Sequence, residues 1–417
     1  MSATAVPSAW FKVANDPAEW FTSEELERAR SYQRPLTKLR LVRTAINLAI
    51  LFAFIGFEVG PAIADSVDGW VLQLVLVLLA LELVVLPINV ALDAWVDLGH
   101  DRRWELSTQT GKGLAIDTVK SFVLGMVVNV ALLVPLYALI RSTDLWWVWG
   151  WLVIVLFSVG LGFLFPVVIA PIFNKFDPLD DEDLSGRIQN IASKAGVTIS
   201  GAFVADESRR SRRDNAYVAG LGPSRRVVLY DTILEHPPEV VEQVVAHEVG
   251  HWRLKHLSRQ IPMMAVLSFI VFFLLNLVAG WDGLWDWAGV EAVGDVPAIG
   301  NPAGLPLLVF LVQAGFALVG SVTAFVSRAY ERQADLQALE LLEAPSTMID
   351  MQRRLHVKNL ADLDPGFVKQ LRATHPPAAE RMTLTKRWAE AKGIEVVLPE
   401  ATPLLDQDPP KAGEGIT

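Results

Sequence analysis

The sequence predicts a mainly α-helical, multi-pass membrane protein. Three observations carry this. The 417 residues are 52% hydrophobic with a mean hydropathy of +0.36, too apolar for an ordinary soluble chain. Apolar runs of about 20 residues, long enough to cross a bilayer, recur about six times. Lys and Arg fall in alternate links between those runs.

The runs lie near 41–63, 69–97, 115–140, 146–173, 260–280 and 303–327. Pro87 interrupts the second, and Pro166 and Pro171 the fourth, so kinks are expected there. Residues 1–40 form a polar arm too long to begin a cleavable signal peptide. The arm is rich in Lys and Arg, whereas links 64–68 and 281–302 have none. Link 98–114 carries Arg102, Arg103 and Lys112, and 174–259 is again basic. This bias places both termini and 174–259 in the cytoplasm. The expected order is therefore the arm 1–40, four spans in 41–173, a polar domain part in 174–259, two spans in 260–327 and a second polar part in 328–400. The Pro/Gly/acid-rich tail 401–417 is expected to be disordered.

His247-Glu248-Val249-Gly250-His251 has the form H-E-x-x-H, between stretches of good helix formers. On a helix, residues four apart share a face, so two imidazoles can hold one zinc ion. Glu248 is then placed to take a proton from water polarised by the metal. A catalytic zinc keeps one position open and needs a third protein ligand. The chain has no cysteine, which excludes thiolates. A histidine six residues after His251 would be at 257, which is Leu257; His256 misses by one and is expected to face away. Glu331 and Asp335 are also four apart. Glu331 can bind the metal, and Asp335 can accept a hydrogen bond from the free nitrogen of a ligand histidine. An isolated E-x-x-x-D more often marks a solvated helix face, but the spans decide the matter. The fifth begins just after HEVGH and the sixth ends just before Glu331, so all three candidates reach one membrane face. His251 is nine residues before the span, about 14 Å along a continuous helix.

These residues resemble the CAAX prenyl protease 1 family of integral-membrane gluzincin zinc endopeptidases. The likeness extends to Pro171–Leu179, Ser208–Gly220, Arg225–Leu234 and Thr374–Arg381, and covers roughly residues 20–390. It implies helices ringed around a large water-filled chamber, capped by a metallopeptidase domain with a small β element. It implies one Zn2+ per chain on His247, His251 and Glu331, with Glu248 as general base. Asn215 and His375 would hydrogen-bond the substrate backbone. The implied substrate is a peptide or protein, prenylated in the type activity, cut near its C-terminus. The eukaryotic family has a further span before a segment like Phe21–Arg28; residues 1–20 here are too polar for one. Wider relatives degrade misfolded membrane proteins, so a quality-control substrate is the alternative within the class.

Other features are read from the residues alone. Asn215-Ala216-Tyr217-Val218 and Val227–Tyr230 alternate like a half-buried strand pair. An extended peptide could add to that edge, with Asn215 contributing its amide, unless Asn215 is simply a turn residue. His375, before Pro376-Pro377, could stabilise an oxyanion or be a plain loop histidine. Arg381 fits a structural partner for a buried carboxylate. Arg209, Arg210, Arg212 and Arg213 could meet lipid headgroups, a substrate carboxylate, or solvent. Glu58 and Glu82 lie within apolar spans and suit a wet chamber; a transporter, the alternative of another class, would also explain them. The net charge of −10 gives no case for nucleic acid. Membrane lipid is an expected partner, and nothing sets an oligomeric state. The expected location is a bacterial inner membrane with the site facing the cytoplasm, or the endoplasmic-reticulum membrane if the source is eukaryotic.

Overall fold

The computed structural model describes residues 16–220 and 225–397; the expected disordered tail lies outside the described residues. Thr22 opens α1 (Ser23–Gly56) with a capping box: its hydroxyl accepts from Glu25 N–H, and the Glu25 carboxylate accepts from Thr22 N–H. The helix runs without a break across the expected arm–span boundary at 40/41. A short α2 (Val59–Ala64) leads to α3 (Trp70–Ala94), which passes through Pro87 and continues as a π-turn at Trp95–His100 and α4 (Asp101–Arg103). Next come α5 (Gly111–Ser142) and α6 (Trp146–Leu164). Pro166 lies in a second π-turn, Phe165–Ile169, before α7 (Ala170–Phe173). At Pro166 the helix thus widens for one turn rather than ending.

A small sheet follows. β1 (Phe176–Pro178), β2 (Ala202–Ala205), β3 (Ala216–Ala219) and β4 (Arg226–Tyr230) pair in the order β1-β2-β4-β3, with α8 (Glu182–Lys194) between the first two in sequence. β2 and β4 are parallel, while β3 is antiparallel to β4 and forms one edge. The HEVGH motif lies on α9 (Pro238–Arg253), and α10 (His256–Ala279) is the fifth span. α11 (Asp282–Trp287) precedes α12 (Leu305–Leu342), 38 residues and about 57 Å of one helix. α12 is both the sixth span and the carrier of Glu331 and Asp335. α13 (Pro345–Lys358), α14 (Phe367–Arg372) and α15 (Ala378–Lys392) complete the chain.

Among the described residues six helical stretches are long and apolar enough to span a membrane, as expected: Ser23–Gly56, Trp70–Arg103, Gly111–Ser142, Trp146–Phe173, His256–Ala279 and Pro302–Leu342. At most 22% of the most apolar window of any one is buried. The span helices touch one another along part of their length, as where Trp147 and Trp151 of α6 pack on Phe269 of α10. They are held at two ends. One end is a cluster around Leu74, Tyr137, Trp146, Leu275, Trp285 and Leu305. The other joins the sheet, α8, α9, α13, α15 and the end of α12 in a core that includes Ile188, Val227, Leu229, Val245, Leu339 and Met348. The start of α1 is locked to this second end, where Trp20, Phe21 and Ala29 pack on Ile349, Ala378 and Met382.

One expectation is overturned. The HEVGH helix does not run on into the fifth span. α9 ends at Arg253, and Lys255 takes a left-handed conformation (φ 56°) before α10 starts. His256 is therefore delivered to a new direction rather than continuing the face of α9.

Candidate metal centre

α9 and α12 pack closely because each offers a small residue to the other. A Cβ at Gly250 would lie 3.2 Å from the Ala334 carbonyl oxygen. That closeness brings His247, His251 and Glu331 together. His247 Nε2 lies 3.2 Å from His251 Nε2 and 3.3 Å from Glu331 Oε2, and His251 Nε2 lies 3.4 Å from Glu331 Oε1. Zinc bonds of 2.0–2.1 Å in a tetrahedron separate their ligands by about 3.3 Å. Glu331 Oε2 is buried without a hydrogen-bond partner, which a cation would supply. Donor set, spacing and orphaned oxygen therefore all fit zinc.

Behind the triangle the packing is ionic. Asp335, fully buried, faces His247 Nδ1 at 2.9 Å. Arg381 grips the same carboxylate with two bonds, Nε to Oδ2 at 2.8 Å and Nη2 to Oδ1 at 2.5 Å, in its expected structural role. Burial disfavours charge on His247, yet Asp335 and Glu331 raise its pKa to about 10. In the metal-free site a proton thus stands where the carboxylates ask for a cation. Burial likewise raises the pKa of Glu248, against the attraction of His247 and His251. Glu248 and His251 line one cavity of about 510 Å³ with Val218 of β3.

His375 is also brought to the site, with Nε2 3.4 Å from Glu331 Oε2, on an exposed loop. Arg328 of α12 holds that loop by donating to the Gln370 and Ala373 carbonyls, and Arg332 pairs with Glu380 beyond it. Asn215 stands exposed at the start of β3, its side-chain oxygen accepting from Ala216 N–H. The residue before it, Asp214, is buried and pinned by Lys358 at 2.8 Å and His236 at 2.5 Å.

His256 does not face away. It is 3% exposed, and its Nδ1 lies 3.0 Å from His251 Nδ1. The break at Lys255 causes this, and no periodicity argument that assumed an unbroken helix could find it. The arginine cluster is held by partners within the protein, an arrangement outside its three readings. Arg209 and Arg210 bond the Phe173 carbonyl, Arg210 pairs with Asp117, and Arg213 pairs with Asp101 and Tyr32. Three of the four arginines thus staple the loop before β3 to the ends of the spans.

The sequence matches Peptidase family M48 over residues 178–389, and the CAAX prenyl protease N-terminal region, described as five membrane helices, over 10–175. Among curated relatives, it is 28% identical to the uncharacterized metalloprotease YhfN of Bacillus subtilis, covering 91% of this chain and 89% of that one. It is 26% identical to CAAX prenyl protease 1 of Saccharomyces cerevisiae, covering 88% and 87%. The crystal structure of S. mikatae Ste24p shares the fold, with a TM-score of 0.75 at 24% identity over 90% of this chain and 92% of that one. A helical membrane scaffold, a zinc-fitting triad on an H-E-x-x-H helix and a family match over half the chain agree. The chain belongs to peptidase family M48 and is an integral-membrane zinc metalloprotease related to CAAX prenyl protease 1.

Proposed function

We propose that this protein cleaves prenylated CAAX-type or related proteins near their C-terminus, with His247, His251 and Glu331 as the metal ligands. The observation that carries the reading is the triangle of ligand atoms beside the edge strand β3. Zinc held there supplies Lewis acidity and makes water a nucleophile near neutral pH. Glu248 takes the proton of the attacking water and later gives it to the leaving amine. His375 donates to the carbonyl oxygen as it gains charge, and Asn215 hydrogen-bonds the substrate backbone. Asp335 fixes the ring of His247. The catalytic unit is read as two parts, 174–259 and 328–400, joined by two spans.

Two features support a lipid-bearing substrate. The relatives include proteins named CAAX prenyl protease 1. In addition, an apolar cavity of about 530 Å³, lined by Val159, Phe163, Tyr217, Val218, Leu257 and Met264, runs from β3 toward the spans. The alternation of positive charge supports a site on the cytoplasmic side, in a bacterial inner membrane or, in a eukaryote, the endoplasmic reticulum. No feature favours the transporter reading.

The test uses purified full-length protein with matched prenylated and unprenylated peptides, and mass spectrometry of the products. Cleavage close to the C-terminus, faster on the prenylated peptide, stopped by chelator and restored by zinc, is expected. Equal cleavage of both peptides would move the substrate class to membrane quality control.

A further inference from the structure

Each imidazole of the metal site is held from behind, but the two are held differently. His247 faces a carboxylate, Asp335. His251 faces a second imidazole. Its Nε2 points to His247 and Glu331, so Nε2 is the atom that meets the metal. A neutral imidazole that coordinates through Nε2 carries its proton on Nδ1. Nδ1 of His251 lies 3.0 Å from Nδ1 of His256. Two such nitrogens share one hydrogen only when one donates and the other accepts. With His251 donating, His256 accepts at Nδ1 and holds its own proton on Nε2. There it meets Gln333 Oε1 at 3.0 Å, an oxygen that only accepts. Every hydrogen in the chain then has one place.

We propose that His256 and Gln333 are positioning residues that fix the tautomer and ring orientation of His251 for zinc binding. The inference rests on the ligand assignment above. His256 is itself well fixed: it is buried and stacks on Tyr330 with ring centroids 4.3 Å apart and planes 6° from parallel. Gln333 sits on α12, the helix that carries Glu331, so the relay ties the second ligand histidine to the element that supplies the third ligand. The neutral character of the relay also has a reason. The charge of bound zinc together with Arg381 balances Glu331, Asp335 and Glu248. A carboxylate behind His251 would leave this enclosed site with excess negative charge, which burial penalises. An imidazole–amide pair orients the ligand without adding charge.

The test measures the zinc dissociation constant of the full-length protein by competition with a chromophoric chelator, and the visible spectrum of the cobalt-substituted protein. His256→Phe keeps a ring against Tyr330 but has no nitrogen. It should weaken zinc binding by about 10–100-fold, the usual cost of losing such an outer contact, and alter the cobalt spectrum. His256→Asn places an amide oxygen near the former Nδ1 and should recover most of the affinity. Gln333→Leu should weaken binding as well, and should add little to His256→Phe. If His256→Phe fails to fold, Gln333→Leu alone decides the question. Wild-type affinity in His256→Phe or in Gln333→Leu, or equal losses in His256→Phe and His256→Asn, would overturn the relay while leaving the ligand assignment intact. A wild-type protein that binds no zinc would overturn both.

Discussion

Asp335 Oδ1 stands 2.9 Å from His247 Nδ1 and 2.5 Å from Arg381 Nη2, so one buried carboxylate joins a ligand histidine to a guanidinium. Asp335→Asn keeps the shape but removes the charge. Arg381 then loses the carboxylate it grips with two bonds, a change that costs about 3 kcal/mol of stability. His247 loses its anionic acceptor, and zinc affinity should fall about 10–100-fold. Thermal unfolding and a chelator competition check the two effects separately. A fall in stability with unchanged zinc affinity would assign Asp335 to Arg381 alone.

Glu248 and Glu331 should separate chemistry from metal retention. Glu248→Gln should keep zinc and lose about 10²–10⁴-fold in turnover, since only the proton acceptor is gone. Glu331→Ala should lose the metal itself. Metal content by atomic spectroscopy, read beside peptide cleavage, distinguishes them. Burial raises the Glu248 pKa in the metal-free site, and a zinc ion beside it favours the carboxylate, so zinc binding should lower the pKa of Glu248.

His247 makes zinc uptake pH-dependent. In the metal-free protein its pKa is raised from 6.5 to about 10, so it is protonated at neutral pH. Metal binding must expel that proton. Apparent zinc affinity should therefore rise about tenfold per pH unit up to about pH 10, with one proton released by this group. Calorimetry in buffers of different ionisation enthalpy counts the proton. The sign for folding is the opposite. A raised pKa stabilises the metal-free fold fully below about pH 6.5, and this contribution is lost as pH rises to about 10. The melting temperature of metal-free protein should drop across that window more than that of the zinc form.

Much of this architecture was legible in the sequence because membrane spans and H-E-x-x-H are local patterns. Six apolar runs and two imidazoles one helical turn apart need no tertiary information. Glu331 could be found because its span returns to the face from which the previous span left. What stayed hidden depends on one backbone dihedral. Lys255 in the left-handed region reorients α10, and only then do His256 and Gln333 fall behind His251. The arginines before β3 were ambiguous for a related reason. Their partners Asp101, Asp117 and Phe173 come from three separate helical segments, whose ends meet only in the assembled fold.

His375 should act on turnover rather than on metal. It sits on an exposed loop with its Nε2 3.4 Å from Glu331 Oε2. His375→Ala should lower kcat by about 10²-fold, the scale of losing one oxyanion donor, with full zinc occupancy. Arg328→Ala should produce a smaller loss of the same kind, because Arg328 anchors the loop through the Gln370 and Ala373 carbonyls. Steady-state kinetics with metal analysis checks both, and an unchanged rate in His375→Ala would make it an ordinary loop histidine.

The edge of β3 yields the last expectation. Tyr230 N–H donates to the Asn215 carbonyl, and the antiparallel register pairs Tyr217 with Val228 and Ala219 with Arg226. Residues 215, 217 and 219 therefore turn their backbone groups toward β4, and 216 and 218 turn theirs outward. Ala216 N–H is already taken by the Asn215 side chain, which leaves the N–H and C=O of Val218 facing the cavity that holds Glu248 and His251. Proline is tolerated on an edge strand where its missing N–H would have faced outward. Val218→Pro should thus leave the fold and zinc content intact while raising KM about tenfold, the cost of one substrate hydrogen bond of about 1.4 kcal/mol. Tyr217→Pro deletes an inward bond to β4 and should destabilise the sheet instead. Equal kinetics for Val218→Pro and the parent protein would mean that substrate does not extend this sheet.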